Sequence, residues 1–342
     1  MAHQKLKEKL LLIGPIDRYN RHIGGLSIGF NAFRSFLKKN SISYKLIDTR
    51  PYDGAFGTIA NLINLVIRVL LYVPRCNVVL VYASYHGILY LYPPLYLLCR
   101  LLRTRFCFYP VGGDFLDIYH SRPFWHRTLI RNTLFKSDVL FLQTQHLLDH
   151  FKSFGVDAIW FPSGRIKPKG IPASRHYSRR FIFLSRVCPE KGIDIIKEAL
   201  EELENFTIHV YGPLNSFDEE LIRGWVNYKG TVLPPDVLDT LGYYDVLILP
   251  TVYPREGYPG VIIEAYSIGM PVIATDWMAI PEIVQHEVSG ILIKPWSAKA
   301  LANAIRSIDD DKYTRLCAGA REMFKKFDSD ITFVKVLDKL LN

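Results

Sequence analysis

Long hydrophobic runs are missing from this chain of 342 residues. The most apolar segment, residues 61–73, is interrupted by Asn64 and Arg68 and falls short of the roughly 20 apolar residues that a membrane-spanning helix needs. The first apolar run, residues 10–13, is too short for the core of a signal peptide and is typical of an opening strand. The sequence therefore predicts that the chain has no targeting segment and does not cross a membrane.

Cysteine is scarce and shows no pattern. The five cysteines are scattered along the chain, odd in number and without CxxC spacing. This distribution argues against a disulfide framework or a zinc site and favours a reducing cytosol. Solenoid repeats and low-complexity tracts are also missing from the sequence.

Acidic residues are scarce in the first half only. Residues 1–165 carry 21 Lys and Arg against 9 Asp and Glu, whereas the rest of the chain carries 21 against 24. The formal net charge of +9 is therefore concentrated in the first half. This asymmetry suggests that the first half meets something anionic, with nucleic acid and an anionic lipid surface as the two candidates.

Short apolar segments alternate with helix-like segments through both halves of the chain. The predicted strands cover residues 10–14, 44–48, 77–83, 105–113, 138–144 and 158–164, and then 181–185, 206–212, 245–250, 271–275 and 290–293. Such alternation is typical of βαβ units and parallel sheets. It predicts an α/β protein with two tandem, doubly wound, Rossmann-like domains.

The domain boundaries follow from composition and length. We expect an N-terminal domain over residues 1–165, a linker rich in Pro, Gly, Ser and basic residues over 166–180, and a second domain over 181–327. A last helix over 328–342 is expected to pack back toward the first domain. Ligands are then expected outside the carboxyl ends of the strands, in the cleft between the domains.

Two carboxylates flank a turn in the second half. Glu256 lies in the loop after the strand 245–250, Pro259 suits the first position of the next helix, and Glu264 lies about one turn inside that helix. The helix terminus offers backbone amides near Gly257, Tyr258 and Gly260, and such a terminus favours phosphate. A carboxylate there is better suited to accept hydrogen bonds from hydroxyl groups. The alternative is one solvated loop acid and one acid on a helix surface.

Two cations follow another strand of the same half. Arg186 comes just after the strand 181–185, and Lys191 follows five residues later, before a helix. A guanidinium and an ammonium at the carboxyl end of a strand are a plausible clamp for a diphosphate. An ordinary solvated loop is the alternative.

This ordered set of motifs resembles the retaining glycosyltransferases of family 4, which share the two-domain GT-B fold. The matching segments lie between residues 181 and 293 and are SRVCPEKG, VYGP, YYDVLILPT, REGYPGVIIEAYSIGMPVIAT and GILI. The resemblance implies that Glu256 contacts the donor sugar, Glu264 the ribose diol, and Arg186 and Lys191 the diphosphate. It also implies donor-binding roles for Gly212, Gly257, Tyr258, Pro259, Gly260 and Val261.

The first half matches this family more loosely. Gly24 and Gly25 fit a glycine loop near the donor phosphate and the acceptor, with a plain strand-to-helix turn as the alternative. Gly113 fits a second loop near the sugar, where many relatives have a histidine before the glycine pair. Val111 takes that position here, so Asp114 is the first candidate for the polar contact with the sugar and His120 the second.

The resemblance implies a retaining enzyme that moves a hexose from a UDP- or GDP-linked donor to a glycan or lipid-linked acceptor in bacterial cell-surface polysaccharide assembly. Front-face transfer is implied, with the leaving phosphate taking the acceptor proton. No cofactor or metal is expected. The Asp-Ser-Asp segment at residues 328–330 looks like the metal motif of the other major glycosyltransferase fold, but we interpret it as a helix N-cap.

Several alternatives stay open. We expect a cytoplasmic protein that docks on the inner face of the membrane through the apolar helix at 61–73 and nearby arginines, although these could be buried helices with solvated arginines. Nucleic-acid binding has no recognisable reading motif in its favour. A phosphorylase, an epimerase or a non-catalytic nucleotide-sugar binder could use the same scaffold. Base selection is expected around residues 227–235, where no preference for uridine or guanosine can be inferred.

Overall fold

The computed structural model describes residues 10–16, 25–49, 55–83, 88, 91–170 and 175–341, with side chains in the second helix described from residue 63 onward. The chain divides into two compact units, Met1–Gly164 with Ser329–Asn342, and Arg165–Asp328. Each unit holds one six-stranded sheet, and every described strand pair is parallel. The prediction of an α/β protein with two parallel sheets is confirmed.

The sheet of the first unit has the strand order β2-β1-β3-β4-β5-β6. Its strands are β1 (Leu10–Gly14), β2 (Tyr44–Asp48), β3 (Val78–Ala83), β4 (Arg105–Pro110), β5 (Val139–Leu142) and β6 (Ala158–Trp160). The helices of this unit are α1 (Gly25–Lys39), α2 (Ala55–Tyr72), α3 (Tyr92–Leu101), α4 (Phe115–His120), α5 (Phe124–Asn132), α6 (Gln145–Ser153) and α13 (Ser329–Leu341).

Alternating side chains of these strands build two apolar layers. Leu11 and Ile13 face the layer beneath α2 to α6, whereas Leu10 and Leu12 face the layer beneath α1 and α13. Because both faces of the sheet are covered, its strands are continuous apolar runs, which is why the sequence pattern identifies them.

The sheet of the second unit has the strand order β12-β11-β10-β7-β8-β9. Its strands are β7 (Phe181–Leu184), β8 (Ile208–Tyr211), β9 (Asn227–Tyr228), β10 (Val246–Leu249), β11 (Val272–Thr275) and β12 (Gly290–Ile293). The helices are α7 (Ile193–Glu202), α8 (Glu219–Trp225), α9 (Val237–Gly242), α10 (Gly260–Ser267), α11 (Ala298–Arg306) and α12 (Asp310–Phe324). The order reverses between β7 and β10, so the loops after these strands flank the switch point where such sheets bind ligands.

Part of the segment predicted as a linker is held against the second unit. Arg175 Nε donates to Tyr313 Oη at 3.1 Å, and the backbone N–H groups of Ser178 and Arg180 donate to Asp245 Oδ2 at 2.9 and 2.8 Å. Asp245 is buried, and its other oxygen pairs with the Arg180 guanidinium at 3.0 Å. Residues 175–180 are therefore an ordered part of this unit, while 171–174 lie outside the described residues.

Candidate functional site

Two glycines bring the loops after β7, β8 and β10 together. Gly192 has φ +85°, and a Cβ there would lie 2.2 Å from Pro250 O. Gly212 has φ +144°, and a Cβ there would lie 1.7 Å from Ser185 O. Since other residues rarely adopt such φ values and no side chain fits these gaps, glycine is required at both positions. Gly212 also donates from its N–H to Gly230 O and accepts from Tyr228 Oη, so this predicted donor-binding residue has a packing role in the structure.

Lys191 and Glu256 form a buried ion pair at this edge of the sheet. Lys191 Nζ lies 2.5 Å from Glu256 Oε2, and the two residues are 7% and 6% exposed. Thr251, just after β10, donates from its hydroxyl to the same carboxylate oxygen at 2.7 Å. The structure thus joins a predicted diphosphate-binding cation to the predicted sugar-binding carboxylate. Both recorded contacts use Oε2, which leaves Oε1 to accept from a ligand.

The ring of Tyr253 gathers three cations beside this pair. Lys191 Nζ lies 4.7 Å from the ring centroid, and the guanidinium carbons of Arg186 and Arg255 lie 5.3 and 5.7 Å from it. Cation–π attraction holds each of these groups near the ring. Three neighbouring positive charges repel one another, and an anionic ligand such as a diphosphate would relieve this repulsion. Sequence reasoning did not identify Tyr253, because an aromatic residue in a loop carries no signal of its own.

The N-terminus of α10 lies one loop beyond Glu256. Pro259 occupies the N-cap position with φ −59° and ψ 117°, so its predicted place as the first helical residue is wrong by one position and Gly260 begins the helix. The N–H groups of the first helical residues, including Gly260 and Val261, have no partner within the helix. Tyr258 donates from its hydroxyl to Glu282 Oε2 at 2.6 Å, which anchors the turn that starts at Gly257.

Glu264 is paired with an arginine that the sequence did not suggest. Arg165 Nε donates to Glu264 Oε1 at 2.8 Å, with side-chain exposures of 8% and 17%. The two residues are 99 positions apart, so no local pattern could have revealed the contact. The sequence predicts Arg165 as the last residue of the first domain, whereas the structure assigns it to the second unit.

Of the site residues predicted in the first half, Gly25, Gly113 and Asp114 lie in or after loops that follow strands of the first sheet. Gly25 begins α1, and Gly24 lies outside the described residues. After β4, the Gly112 N–H donates to Gln143 Oε1 at 3.1 Å, and Gly113 leads into Asp114, which precedes α4. Asp114 is half-buried beside this loop, whereas His120 is exposed at the far end of α4. Of the two candidates, Asp114 is thus the one that belongs to the glycine loop.

Nothing in the described ranges gathers three or more metal-ligating side chains of His, Cys, Asp or Glu type. Two residues of the Asp-Ser-Asp segment make contacts with residues far away in the sequence. Asp328 forms a backbone bridge with Arg165 and directly precedes α13, and Asp330 pairs with Lys39 at 3.3 Å.

Burial raises the pKa of the Cys188 thiol beside Arg186, so this thiol stays protonated near neutral pH and is a poor nucleophile.

Residues 178–311 match the family model described as glycosyl transferases group 1. TuaC of Bacillus subtilis (strain 168), named as a teichuronic acid biosynthesis glycosyltransferase, is 34% identical over 152 residues, which are 43% of this chain and 36% of TuaC. An Escherichia coli protein named UDP-Gal:α-D-GlcNAc-diphosphoundecaprenol α-1,3-galactosyltransferase is 25% identical over 177 residues, 52% of this chain and 42% of that protein. The matched part of the chain thus spans less than half the length of these curated relatives.

The crystal structure of Anabaena HepE in complex with UDP has a similar fold. It superposes with a TM-score of 0.72 at 15% identity and covers 97% of this chain and 99% of HepE. At that identity the likeness concerns the fold alone. The predicted GT-B fold is confirmed.

Proposed function

We propose that this protein is a glycosyltransferase of cell-surface polysaccharide assembly, because residues 178–311 match the family model of glycosyl transferases group 1. It moves a hexose from a UDP- or GDP-linked donor to a glycan or lipid-linked acceptor. The observation that carries the proposal is the contact between Lys191 Nζ and Glu256 Oε2, with Arg186 beside it. This contact places a carboxylate that can accept hydrogen bonds from sugar hydroxyls next to two cations that can bind phosphate. The names of the relatives support the same reaction class.

We assign each part of the donor to a group that follows a strand of the second sheet. Glu256 Oε1 accepts a hydrogen bond from a sugar hydroxyl, while Arg186 and Lys191 bind the diphosphate with the amides of the first turn of α10. Glu264 accepts from the ribose diol. The polar contact between Asp114 and the sugar stays a prediction from the sequence. No cofactor or metal takes part, because the fixed cations meet the charge of the diphosphate.

The reaction exchanges one bond at the anomeric carbon for another. The bond from C1 to the phosphate oxygen breaks and its electron pair moves onto the diphosphate, while the acceptor oxygen bonds to C1 on the same face. The acceptor proton passes to the leaving phosphate oxygen, so no protein base is required. Arg186 and Lys191 stabilise the negative charge that develops on the diphosphate.

The surroundings of Glu256 favour this front-face route over a route through a covalent glycosyl-enzyme. A covalent glycosyl-enzyme needs a carboxylate that is free to attack C1. Lys191 and Thr251 both hold Oε2 of Glu256, which lowers the nucleophilicity of this carboxylate. The same contacts leave it well suited to accept a hydrogen bond from a sugar hydroxyl.

We expect the purified chain to release UDP or GDP from a matching nucleotide hexose, at an unchanged rate in EDTA because no metal is used. Nucleotide release is the measurement, with a panel of UDP- and GDP-hexoses as donors. Binding without release would instead indicate a nucleotide-sugar binder, and sugar transfer to free phosphate would indicate a phosphorylase. A rate abolished by EDTA and restored by a divalent cation would contradict the metal-free route.

An exposed apolar face on α2 supports an acceptor at a lipid surface. Leu65 and Val69 bury one side of the helix, yet five apolar residues on its other side are 46–56% exposed. These residues are Ile63, Val66, Ile67, Leu70 and Leu71. Leu97 and Leu101 are exposed on α3, which packs into the same apolar layer. Such contiguous apolar surface on a water-facing helix indicates an interaction site.

The charges around this face favour an anionic lipid surface on the inner side of the membrane. Residues 54–113 contain five arginines and no Asp or Glu. Arg75, Arg100 and Arg103 are exposed near the ends of α2 and α3. These two ends lie close together, because the hydroxyl of Thr104, after α3, donates to Cys76 O, after α2, at 3.4 Å. Apolar surface beside cations is the pattern of a helix that lies in a membrane interface. Among the described helices, none is both long and apolar enough to span a bilayer.

We expect the double variant Ile67→Glu, Leu70→Glu to bind vesicles of phosphatidylcholine and phosphatidylglycerol at least about tenfold more weakly than the unmutated chain, since two apolar anchors are lost. Co-sedimentation at low salt measures the binding. The control, Leu221→Glu with Leu233→Glu, alters similarly exposed leucines of the second unit and should bind as before. Equal losses in both variants, or no binding by the unmutated chain, would remove this lipid surface from the proposal.

A further inference from the structure

The backbone of Arg165, the first residue of the second unit, is bound to the last residues of that unit. Its backbone N–H donates to Phe327 O at 2.9 Å, and it forms a parallel bridge with Asp328. The next residue after this bridge, Ser329, belongs to the other unit. The backbone of Arg165 therefore has a defined position from which the side chain extends.

The side chain of Arg165 extends to the first turn of α10. Glu264 is the fifth residue of this helix, and helical side chains tilt toward the N-terminus, so its carboxylate faces that first turn. A Cβ at Gly260 would lie 2.1 Å from Arg165 Nη2, so the guanidinium rests directly against the first helical residue. The absence of a side chain at Gly260 is what allows this approach.

The location of this guanidinium is electrostatically unusual. The N-terminus of a helix carries partial positive charge, so a buried cation there is disfavoured unless an anion accompanies it. Glu264 is that anion, bound through Nε at 2.8 Å. Because the pair is nearly buried, each partner limits the positions that the other can take.

We infer that Arg165 is a positioning residue for the nucleotide, which rests on the proposed function above. By holding Oε1 of Glu264, Arg165 keeps Oε2 aimed at the two ribose hydroxyls of a nucleoside diphosphate. A carboxylate without this contact has to be ordered when the ligand binds, which weakens affinity. This role predicts an effect specific to the diol, because Arg165 would act through Glu264; a direct contact of Arg165 with the phosphates is the alternative that the test separates.

The test compares a nucleotide with the same nucleotide lacking its diol. Isothermal titration calorimetry of the full chain uses UDP or GDP, whichever the unmutated protein binds, and the matching 2′,3′-dideoxy diphosphate. We expect Arg165→Met to weaken binding of the parent nucleotide by about tenfold and that of the dideoxy analogue by no more than about twofold. A merely structural loss would weaken both ligands alike.

Two further variants keep the test decisive. Arg165→Lys retains the positive charge beside Glu264 and so protects the fold. A single ammonium orients the carboxylate less well than a guanidinium, so this variant should lose less affinity than Arg165→Met, again for the parent nucleotide only. Arg180→Met disrupts another arginine–carboxylate pair of the same unit, with Asp245, and should change neither affinity.

Three outcomes would overturn the inference. Equal losses for both ligands would mean that Arg165 acts on the diphosphate or on the fold. Tighter binding of the parent nucleotide by Arg165→Met would mean that the arginine competes with the ribose for Glu264. Failure of the unmutated chain to bind either nucleotide would defeat the proposed function itself and this inference with it.

Discussion

Replacing Arg186 by alanine is expected to lower turnover by about a hundredfold or more, which is the usual effect of removing one preorganised contact to developing charge. Arg186 follows β7 at the switch point, and its guanidinium carbon lies 5.3 Å from the Tyr253 ring centroid. The charge of the neighbouring Lys191 is already partly neutralised by its ion pair with Glu256. If the proposed function holds, Arg186 would therefore carry much of the stabilisation of the leaving diphosphate. The measurement is kcat at saturating donor.

Arg255 provides the matched control for this experiment. Its guanidinium carbon lies 5.7 Å from the same ring, but the residue is exposed, so water screens its charge. Arg255→Ala should lower kcat by less than about tenfold, since a screened charge contributes less. If Arg186→Ala retained full turnover, the assignment of this residue to the leaving group would be wrong.

Replacing Lys191 by methionine is expected to destabilise the protein by about 3–5 kcal/mol, the range for removing one partner of a buried ion pair. Glu256 would keep its hydrogen bond from Thr251 but would remain a buried carboxylate without a counter-charge. Turnover should fall as well, because the same ammonium is assigned to the diphosphate. Urea unfolding and nucleotide release measure the two effects.

A double variant separates stability from catalysis. Lys191→Met with Glu256→Gln removes both charges, and the neutral amide can still accept from Thr251, so most of the lost stability should return. Turnover should stay low, because the double variant lacks both the cation for the diphosphate and the carboxylate for the sugar. A single variant as stable as the unmutated chain would contradict the ion pair, and a double variant with restored turnover would contradict the proposed roles.

The strands were predictable to within a few residues because both sheets are covered on both faces. Buried parallel strands are short apolar runs, and those at 10–14, 44–48 and 290–293 have the predicted bounds. The pattern failed where the apolar signal is short or mixed. Strand β9 has two residues and is not among the predicted strands.

The candidate site was predictable as a set of residue types but not as a set of contacts. Local order along the chain places Arg186 and Lys191 after one strand and Glu256 after another, and the family resemblance suggests what each could bind. It does not reveal that Tyr253 gathers the cations. Nor does it reveal that Arg165, expected in the first domain, reaches Glu264 in the second unit.

The sequence by itself determined the α/β class, the parallel strands, the acid-poor first half and the identity of the groups that could bind a diphosphate and hydroxyls. Only the tertiary structure decided that Lys191 pairs with Glu256 and Arg165 with Glu264, and that one face of α2 is left apolar and exposed. The physical reason is the separation along the sequence over which each kind of interaction acts. Apolar periodicity and turn residues act over a few positions, whereas these contacts depend on strand order and on loops joined through glycines such as Gly192 and Gly212.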